Sequence, residues 1–260
     1  MIKQIDFHIA ELDSMKVYPN ELFYKGNASL LQRKKVAIVG SRKPNQYARE
    51  MTHKLAQKLS QAGVCIVSGG ALGVDAIAHK AAGAANTIMV AATGLDKRYP
   101  AINKNMIIDI EQNGLVLSQF QEGMPSRKYN FPLRNEIVVA LGDVLIVTYA
   151  DFNSGTMHSV AYALKMGKEV YVLPHRIGES EATNDLLLQG KAKAIYDLDV
   201  FVSQFGGAIC KEMRADDFLL YCQKNPTYEE ALQKYPAKIF EAELEGIIEI
   251  KNARVYLSSN

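Results

Sequence analysis

The sequence predicts a doubly wound, mainly parallel α/β sheet followed by a small helical module that ends in a hairpin. Two observations carry this. Between residues 34 and 210, short apolar runs alternate with segments whose apolar residues recur every three or four positions. Parallel strands need crossover helices, and this alternation supplies them. Beyond residue 210 the alternation stops, and helical segments lead into a pair of short alternating runs.

The elements follow in order. Residues 1–33 have weak periodicity and read as a short N-terminal extension. VAIVG (36–40) is a buried parallel strand closed by glycine. Residues 47–62 space Met51, Leu55, Ala56, Leu59 and Ala62 as one face of a helix, and Gly63 ends it. VCIVSGG (64–70) is the second strand, followed by an alanine-rich helix from Val74 to Ala84. TIMVAATG (87–94) precedes a helix over 103–113, and LVLSQF (115–120) precedes a long loop through Pro125 and Pro132. Arg134–Leu141 reads as helix, DVLIVTYA (143–150) as strand, Thr156–Met166 as helix and EVYVLPH (169–175) as strand. A shorter helix (184–189) and a strand (194–197) complete the domain.

In residues 211–260, Phe218, Leu219 and Cys222 mark a first helix ending near Asn225-Pro226. Thr227 and Glu230 have capping-box spacing for a second, and Ala237–Leu244 reads as a third. Residues 247–259 alternate around Lys251-Asn252 as a hairpin does, so this module is expected to resemble a winged helix.

Composition excludes several classes. Of the 260 residues 48% are hydrophobic, which is ordinary for a globular chain, and no apolar run approaches the ~20 residues that span a bilayer. Acidic residues interrupt the N-terminal segment where a secretion signal needs an apolar core, so no membrane association and a cytoplasmic setting are expected. Cys65, Cys210 and Cys222 are too few and too scattered for a disulfide framework or a zinc site. The net charge of +2 gives no global reason to expect nucleic acid, so any such surface must come from local clustering.

Ligands of an open parallel sheet bind at the carboxyl ends of its strands. Glycine-rich and polar segments lie there: Gly40-Ser41-Arg42-Lys43, then Ser68-Gly69-Gly70-Ala71-Leu72-Gly73, then Thr93-Gly94-Leu95-Asp96, and Ser154-Gly155-Thr156. Glycine lets a phosphate approach the backbone, and helix N-termini add oriented N–H donors. A glycine-rich turn is also how tight connections are built, so one loop alone says little. Four at one edge point to an anionic ligand.

A dinucleotide is disfavoured: the first loop lacks G-x-G-x-x-G, and the second strand ends in Val67-Ser68 where a ribose-binding carboxylate would stand. The phosphate-loop pattern G-x-x-x-x-G-K-[ST] is absent from the sequence. No cofactor and no metal are expected. Nearby cations are Arg42, Lys43, Lys97, Arg98, Lys104, Arg127, Lys128 and Arg134, interleaved with Tyr47, Tyr99, Tyr129 and Phe131. Cations for a phosphate backbone beside aromatic faces for bases suit an unpaired strand. The same residues would look alike if the cations were only solvated and the rings were core.

GSRKPNQYA, SGGALGVDAIAH, TGLDKRYPAINK, LSQFQEG-x-P, NFPLRNEIV and SGTMHSVAYAL-x-x-GK-x-VYVLP resemble, in order and spacing, the motifs of the DNA-processing protein A (DprA/Smf) family. The resemblance covers roughly residues 34–205. It implies a Rossmann-like fold, sequence-tolerant binding of single-stranded DNA, a homodimer, and delivery of incoming DNA to the RecA recombinase in natural transformation. It implies a non-enzymatic role. Position by position, it places Ser41, Arg42, Gly69, Gly70 and Gly73 around a phosphate pocket, with Gly40, Lys43, Ala71, Asn135, Ser154 and Gly155 also expected to bind DNA. Lys128 and Arg134 would add charge, and Phe131 would stack on a base. Family members usually read FPxRNR, whereas Glu136 follows Asn135 here and removes a cation. Only about thirty residues precede the first strand, so the helical N-terminal domain common in the family is expected to be missing.

Other residues invite over-reading. Asp75 and His79 share a helix face as an acid/base pair would, but a carboxylate near a helix start is favoured by the dipole, and a lone histidine is more often core. Asp96 reads as a turn residue. Residues 215–260 carry five cations against eight acids, which is unfavourable for phosphate, so protein contact or weak duplex contact is expected of that module. The chief rival function is an enzyme resembling the lysine-decarboxylase-like nucleotide phosphoribohydrolases. Those need a carboxylate just after a glycine-threonine turn, where this chain has Met157, His158 and Ser159. A small-nucleotide sensor would use the same pocket.

Overall fold

In the computed structural model, residues 1–205, 217–244 and 246–258 are described. The chain divides into two compact units, Met1–Ile209 and Cys210–Asn260. The boundary expected at 210/211 lies outside the described residues.

The first unit is a nine-stranded, mostly parallel sheet with helices on both faces. Its elements run β1 (Lys3–Gln4), β2 (Phe23–Gly26), β3 (Lys35–Val39), α1 (Gln46–Gln61), β4 (Cys65–Ser68) and α2 (Val74–Ala82). They continue with β5 (Thr87–Val90), α3 (Lys104–Asn113), β6 (Leu115–Ser118), α4 (Asn130–Leu141), β7 (Leu145–Val147) and α5 (Thr156–Lys165). Last come β8 (Val170–Val172), α6 (Glu181–Leu188), β9 (Lys193–Ala194) and α7 (Leu198–Ser203). The spatial order is β1-β2-β6-β5-β4-β3-β7-β8-β9. After β3 the chain builds outward one way as far as β6, then returns to start β7 on the other side of β3. The topological switch point therefore lies between β3 and β7, where two adjacent loops leave in opposite directions and open a crevice.

Side-chain alternation along the strands sorts the core into two layers. Ala37, Val67, Ile88, Leu117, Leu145 and Val172 point to the face covered by α4, α5 and α6. Val36, Ile38, Ile66, Ile146 and Tyr171 point to the face covered by α1, α2 and α7. Each fully buried Val, Leu or Ile contributes about 1.5–3 kcal/mol. Cys65 is one of these core residues, and burial pushes its thiol up to about 12.

Residues 1–33, expected as an extension, are part of the sheet. β2 pairs antiparallel with β6, and β1 with β2, so this segment covers an edge that would otherwise be exposed. Helix α4 starts at Asn130 rather than Arg134. Pro132 sits in its first turn, where a missing N–H breaks no intrahelical bond.

The second unit contains α8 (Asp217–Cys222), α9 (Tyr228–Lys234), α10 (Pro236–Leu244) and a hairpin of β10 (Ile248–Lys251) and β11 (Arg254–Leu257). Both halves of the Thr227/Glu230 capping box are formed. Asn252 and Ala253 have φ of 52° and 58°, the pair of positive values that a two-residue I′ hairpin turn requires. Phe218, Cys222, Ala231, Ile239, Ala242, Ile248 and Val255 form its core. Among the described residues, no helix is long and apolar enough to cross a membrane.

Candidate nucleic-acid interface

The crevice at the switch point is a cleft of about 590 Å³. The loop after β3 contributes Gly40, Ser41, Arg42 and Lys43, the loop after β7 contributes Asp151, Ser154 and Gly155, and α4 contributes Phe131, Arg134 and Asn135. The loop after β4 and the start of α2 add Ala71 and Asp75, and α5 adds Thr156 and Ser159. A side pocket of about 50 Å³ continues past Gly69, Leu72 and Tyr99.

Backbone hydrogen bonds hold these loops together. Ser41 N donates to Tyr149 O at 2.8 Å, and Val74 N donates to Ser41 O at 3.2 Å, tying the ends of β3 and β7 to the start of α2. Gly73 makes the approach possible: its φ is +76°, and a Cβ there would lie 2.4 Å from Ser41 O.

Under the loop after β4 lies Arg134, which is 4% exposed. Its Nη1 donates to Gly69 O and, at 2.7 Å, to Val90 O, and its Nε donates to Asn135 Oδ1 at 3.0 Å. A Cβ at Gly69 would lie 2.4 Å from Arg134 Cζ, so a larger residue there would displace the buried guanidinium. Burial lowers the Arg134 pKa to about 10, with the Asp75 carboxylate opposing that shift and Arg42 adding to it. Asp75 is raised, chiefly by burial and against the attraction of Arg134, and it accepts from Ala71 N at 3.3 Å. Arg134 is thus a buried structural cation that sets a positive potential beneath the cleft, and most of its donors go to protein acceptors.

The exposed chemistry lies above it. Arg42 and Lys43 are exposed at the rim, and Phe131 is half-buried between Arg42 and Tyr99. The Tyr99 and Phe131 ring centroids are 6.0 Å apart. Ser154 and Ser159 also line the cleft, and their Oγ atoms are buried and have no hydrogen-bond partner among the described residues.

Of the residues singled out from sequence, Gly40, Ser41, Arg42, Lys43, Ala71, Phe131, Arg134, Asn135, Ser154 and Gly155 line the main cleft, and Gly69 lines the side pocket. Gly70 and Gly73 shape the loop without lining either, and Lys128 is exposed outside both. Several expected cations are already engaged. Arg98 Nη2 pairs with Glu111 at 2.6 Å, Lys97 with Asp96 at 3.5 Å, and Arg127 Nη1 donates to Tyr129 OH at 2.9 Å. Glu136 accepts from Lys16 N at 3.1 Å, joining α4 to the N-terminal segment. Asp96 Oδ1 accepts from Gly123 N at 2.8 Å and so pins the loop after β6. Sequence reasoning missed Asp151 and Ser159 as cleft residues. The helical spacing of Thr156 and Ser159 was the available signal for the second.

Asp75 and His79 do not form an acid/base pair. His79 Nδ1 lies 2.7 Å from Thr87 Oγ1, which itself donates to Ile66 O at 2.8 Å, so the proton is on Nδ1. Burial, and then the charge of Arg134, drive the His79 pKa down to about 3.

The family model for DNA recombination-mediator protein A matches residues 4–206. The DNA processing protein DprA of Streptococcus pneumoniae is 39% identical over 184 residues, which is 68% of this chain and 65% of that protein. The Smf protein of Escherichia coli is 34% identical over 190 residues, or 71% of this chain and 51% of that one. The chain thus spans between half and two thirds of these relatives. Among solved structures, the Helicobacter pylori DNA processing protein A superposes with a TM-score of 0.76 at 40% identity, covering 78% of this chain and 94% of that one. That structure concerns a single-stranded DNA binding mode. The S. pneumoniae DprA structure gives 0.73 at 34% identity, covering 80% of this chain and 75% of that one. With the family model matched over residues 4–206 and a relative 39% identical over 68% of the chain, the chain belongs to the DNA recombination-mediator protein A (DprA/Smf) family.

Proposed function

We propose that this chain binds single-stranded DNA in the switch-point cleft, with little dependence on base sequence. The observation that carries the reading is the pair Arg42 and Phe131, a cation beside an aromatic face, both lining the cleft. Phosphates dock against the loop after β3 and the side chains of Arg42 and Lys43, where charge-assisted bonds form. A base stacks on Phe131, worth roughly 1–3 kcal/mol. Every base has a π-face and every nucleotide a phosphate, so the site tolerates sequence. The single-stranded DNA binding mode of the H. pylori relative supports the same ligand.

The role is positioning rather than bond chemistry. The chain acts as a homodimer, joining two clefts on one strand and raising avidity through effective concentration. It protects incoming DNA and passes it to the RecA recombinase during natural transformation, in the cytoplasm. The second unit contacts protein or, weakly, duplex DNA.

One observation favours the enzymatic alternative: Asp151 and Asp75 bring carboxylates to the cleft that the residues after Thr156 do not. Incubation with nucleoside monophosphates separates the readings. Absence of free-base release accords with the binding role, and catalytic release assigns the cleft to hydrolysis. Titration of an unpaired strand against the same sequence as duplex tests the ligand itself. Preference for the unpaired strand is expected, and equal affinity for both would exclude the stacking contact.

A further inference from the structure

We propose that a second groove, beside the first turn of α1, is a further nucleotide subsite that takes the next base and phosphate of a strand leaving the main cleft. This rests on the single-strand reading of that cleft.

The groove has a volume of about 430 Å³ and is lined by Asn45, Tyr47, His175, Arg176 and Glu179 among others. It lies at the carboxyl edge of the sheet, where the segment after β8 meets the start of α1. Strands β3, β7 and β8 are successive neighbours, so the groove is one strand further along the edge that carries the cleft. Lys43 lines the cleft and Asn45 lines the groove. Two residues of backbone, at most about 7 Å, separate them.

Its chemistry repeats that of the cleft. Tyr47 is 41% exposed, and its ring meets His175 edge-on, with centroids 5.4 Å apart and planes at 89°. His175 is held on its other side by Tyr149, at 5.3 Å and 83°. Its Nε2 donates to Thr148 O at 2.8 Å, which fixes the ring and leaves Nδ1 a bare acceptor, buried and unpartnered among the described residues. Tyr47 is braced by His175, which Tyr149 and the Thr148 carbonyl hold in turn, so it loses little entropy when a base stacks on it. Arg176 is exposed at the rim and supplies the cation for the phosphate. Glu179 is the opposing charge. Its Oε2 accepts from Asn45 Nδ2 at 3.0 Å, which puts the phosphate on the Arg176 side and the base over Tyr47.

The test measures binding of dT oligonucleotides of increasing length to the full chain and to Tyr47→Ala, Tyr47→Phe and Arg176→Ala. For the shortest oligonucleotides that bind, all four proteins are expected to agree. For longer ones, Tyr47→Ala and Arg176→Ala are expected to lose about tenfold, while Tyr47→Phe keeps wild-type affinity. Arg176→Ala, an exposed substitution that leaves the fold intact, also makes the salt dependence shallower for long oligonucleotides only. Loss at every length, or at none, would overturn the subsite while leaving the main cleft standing. Failure of the wild-type chain to bind any oligonucleotide would overturn the underlying reading and the subsite with it.

Discussion

The guanidinium of Arg42 stands over the ring of Phe131, with Cζ 5.5 Å from the ring centroid. One residue comes from the loop after β3 and the other from the first turn of α4, so the pair ties these two segments together at the cleft. A cation over an aromatic face is favourable by about 0.5–1 kcal/mol at an exposed site. It also holds the phosphate-binding group beside the stacking surface.

The two residues should therefore fail in different ways. Arg42→Ala is expected to weaken all sequences alike and to lower the slope of log affinity against log salt by about 0.7, as loss of one phosphate contact on a single strand requires. Phe131→Ala should weaken binding by about 1–3 kcal/mol with the slope unchanged. Because the side chains touch, the double variant should lose less than the sum. Salt titrations of the three proteins check all of this.

Ser159 allows binding to be separated from stability. Its hydroxyl is buried without a partner, so Ser159→Ala is expected to unfold no earlier than the parent in a thermal melt. If a ligand satisfies that hydroxyl, the same variant binds oligonucleotide more weakly by about 1 kcal/mol.

The glycines of the cleft should respond according to what surrounds them. Gly69→Ala brings a methyl group against the Arg134 guanidinium and is expected to cost about 1–3 kcal/mol of stability. At Gly155, φ is −58° and a Cβ would meet nothing within 4 Å, so Gly155→Ala should leave stability unchanged or raise it by about 0.4–1 kcal/mol. Denaturant midpoints of the two variants test the contrast.

Stability should depend on pH through His79. Its pKa falls from 6.5 to about 3 on folding, so between those values the unfolded chain binds more protons than the folded one. The contribution is fully present above pH 6.5 and is lost as pH falls toward 3. At pH 5 the loss is about 2 kcal/mol. His175, lowered chiefly by burial, acts in the same direction. The raised pKa of Asp75 acts in the opposite one, stabilising as pH falls toward the ordinary carboxylate range. The diagnostic is therefore a difference: His79→Gln should show a flatter decline than the parent between pH 7 and 5 in thermal unfolding.

The central strands were legible because each is a short run buried on both faces, as VAIVG and VCIVS show, and the loops stood out because glycines cluster directly after those runs. What the sequence hid was tertiary. FYKG in β2 has neither length nor alternation and becomes a strand only because the edge of β6 needs a partner. Pro132 read as a break before α4 because the register of its helix was unknown. Arg134 read as a cation like Arg42, and only packing reveals that one is buried under Gly69 while the other is exposed. Tyr47 was grouped with the aromatics of the main cleft because its place, beside His175, depends on a residue 128 positions away.

Fluorescence anisotropy of a labelled dT oligonucleotide, competed with a mononucleotide and repeated at two salt concentrations, tests the central claim most directly. Tight, salt-sensitive binding that strengthens with length and resists the mononucleotide is the predicted result. Displacement by the mononucleotide, or affinity that ignores length and salt, would contradict it and assign the cleft to a small ligand.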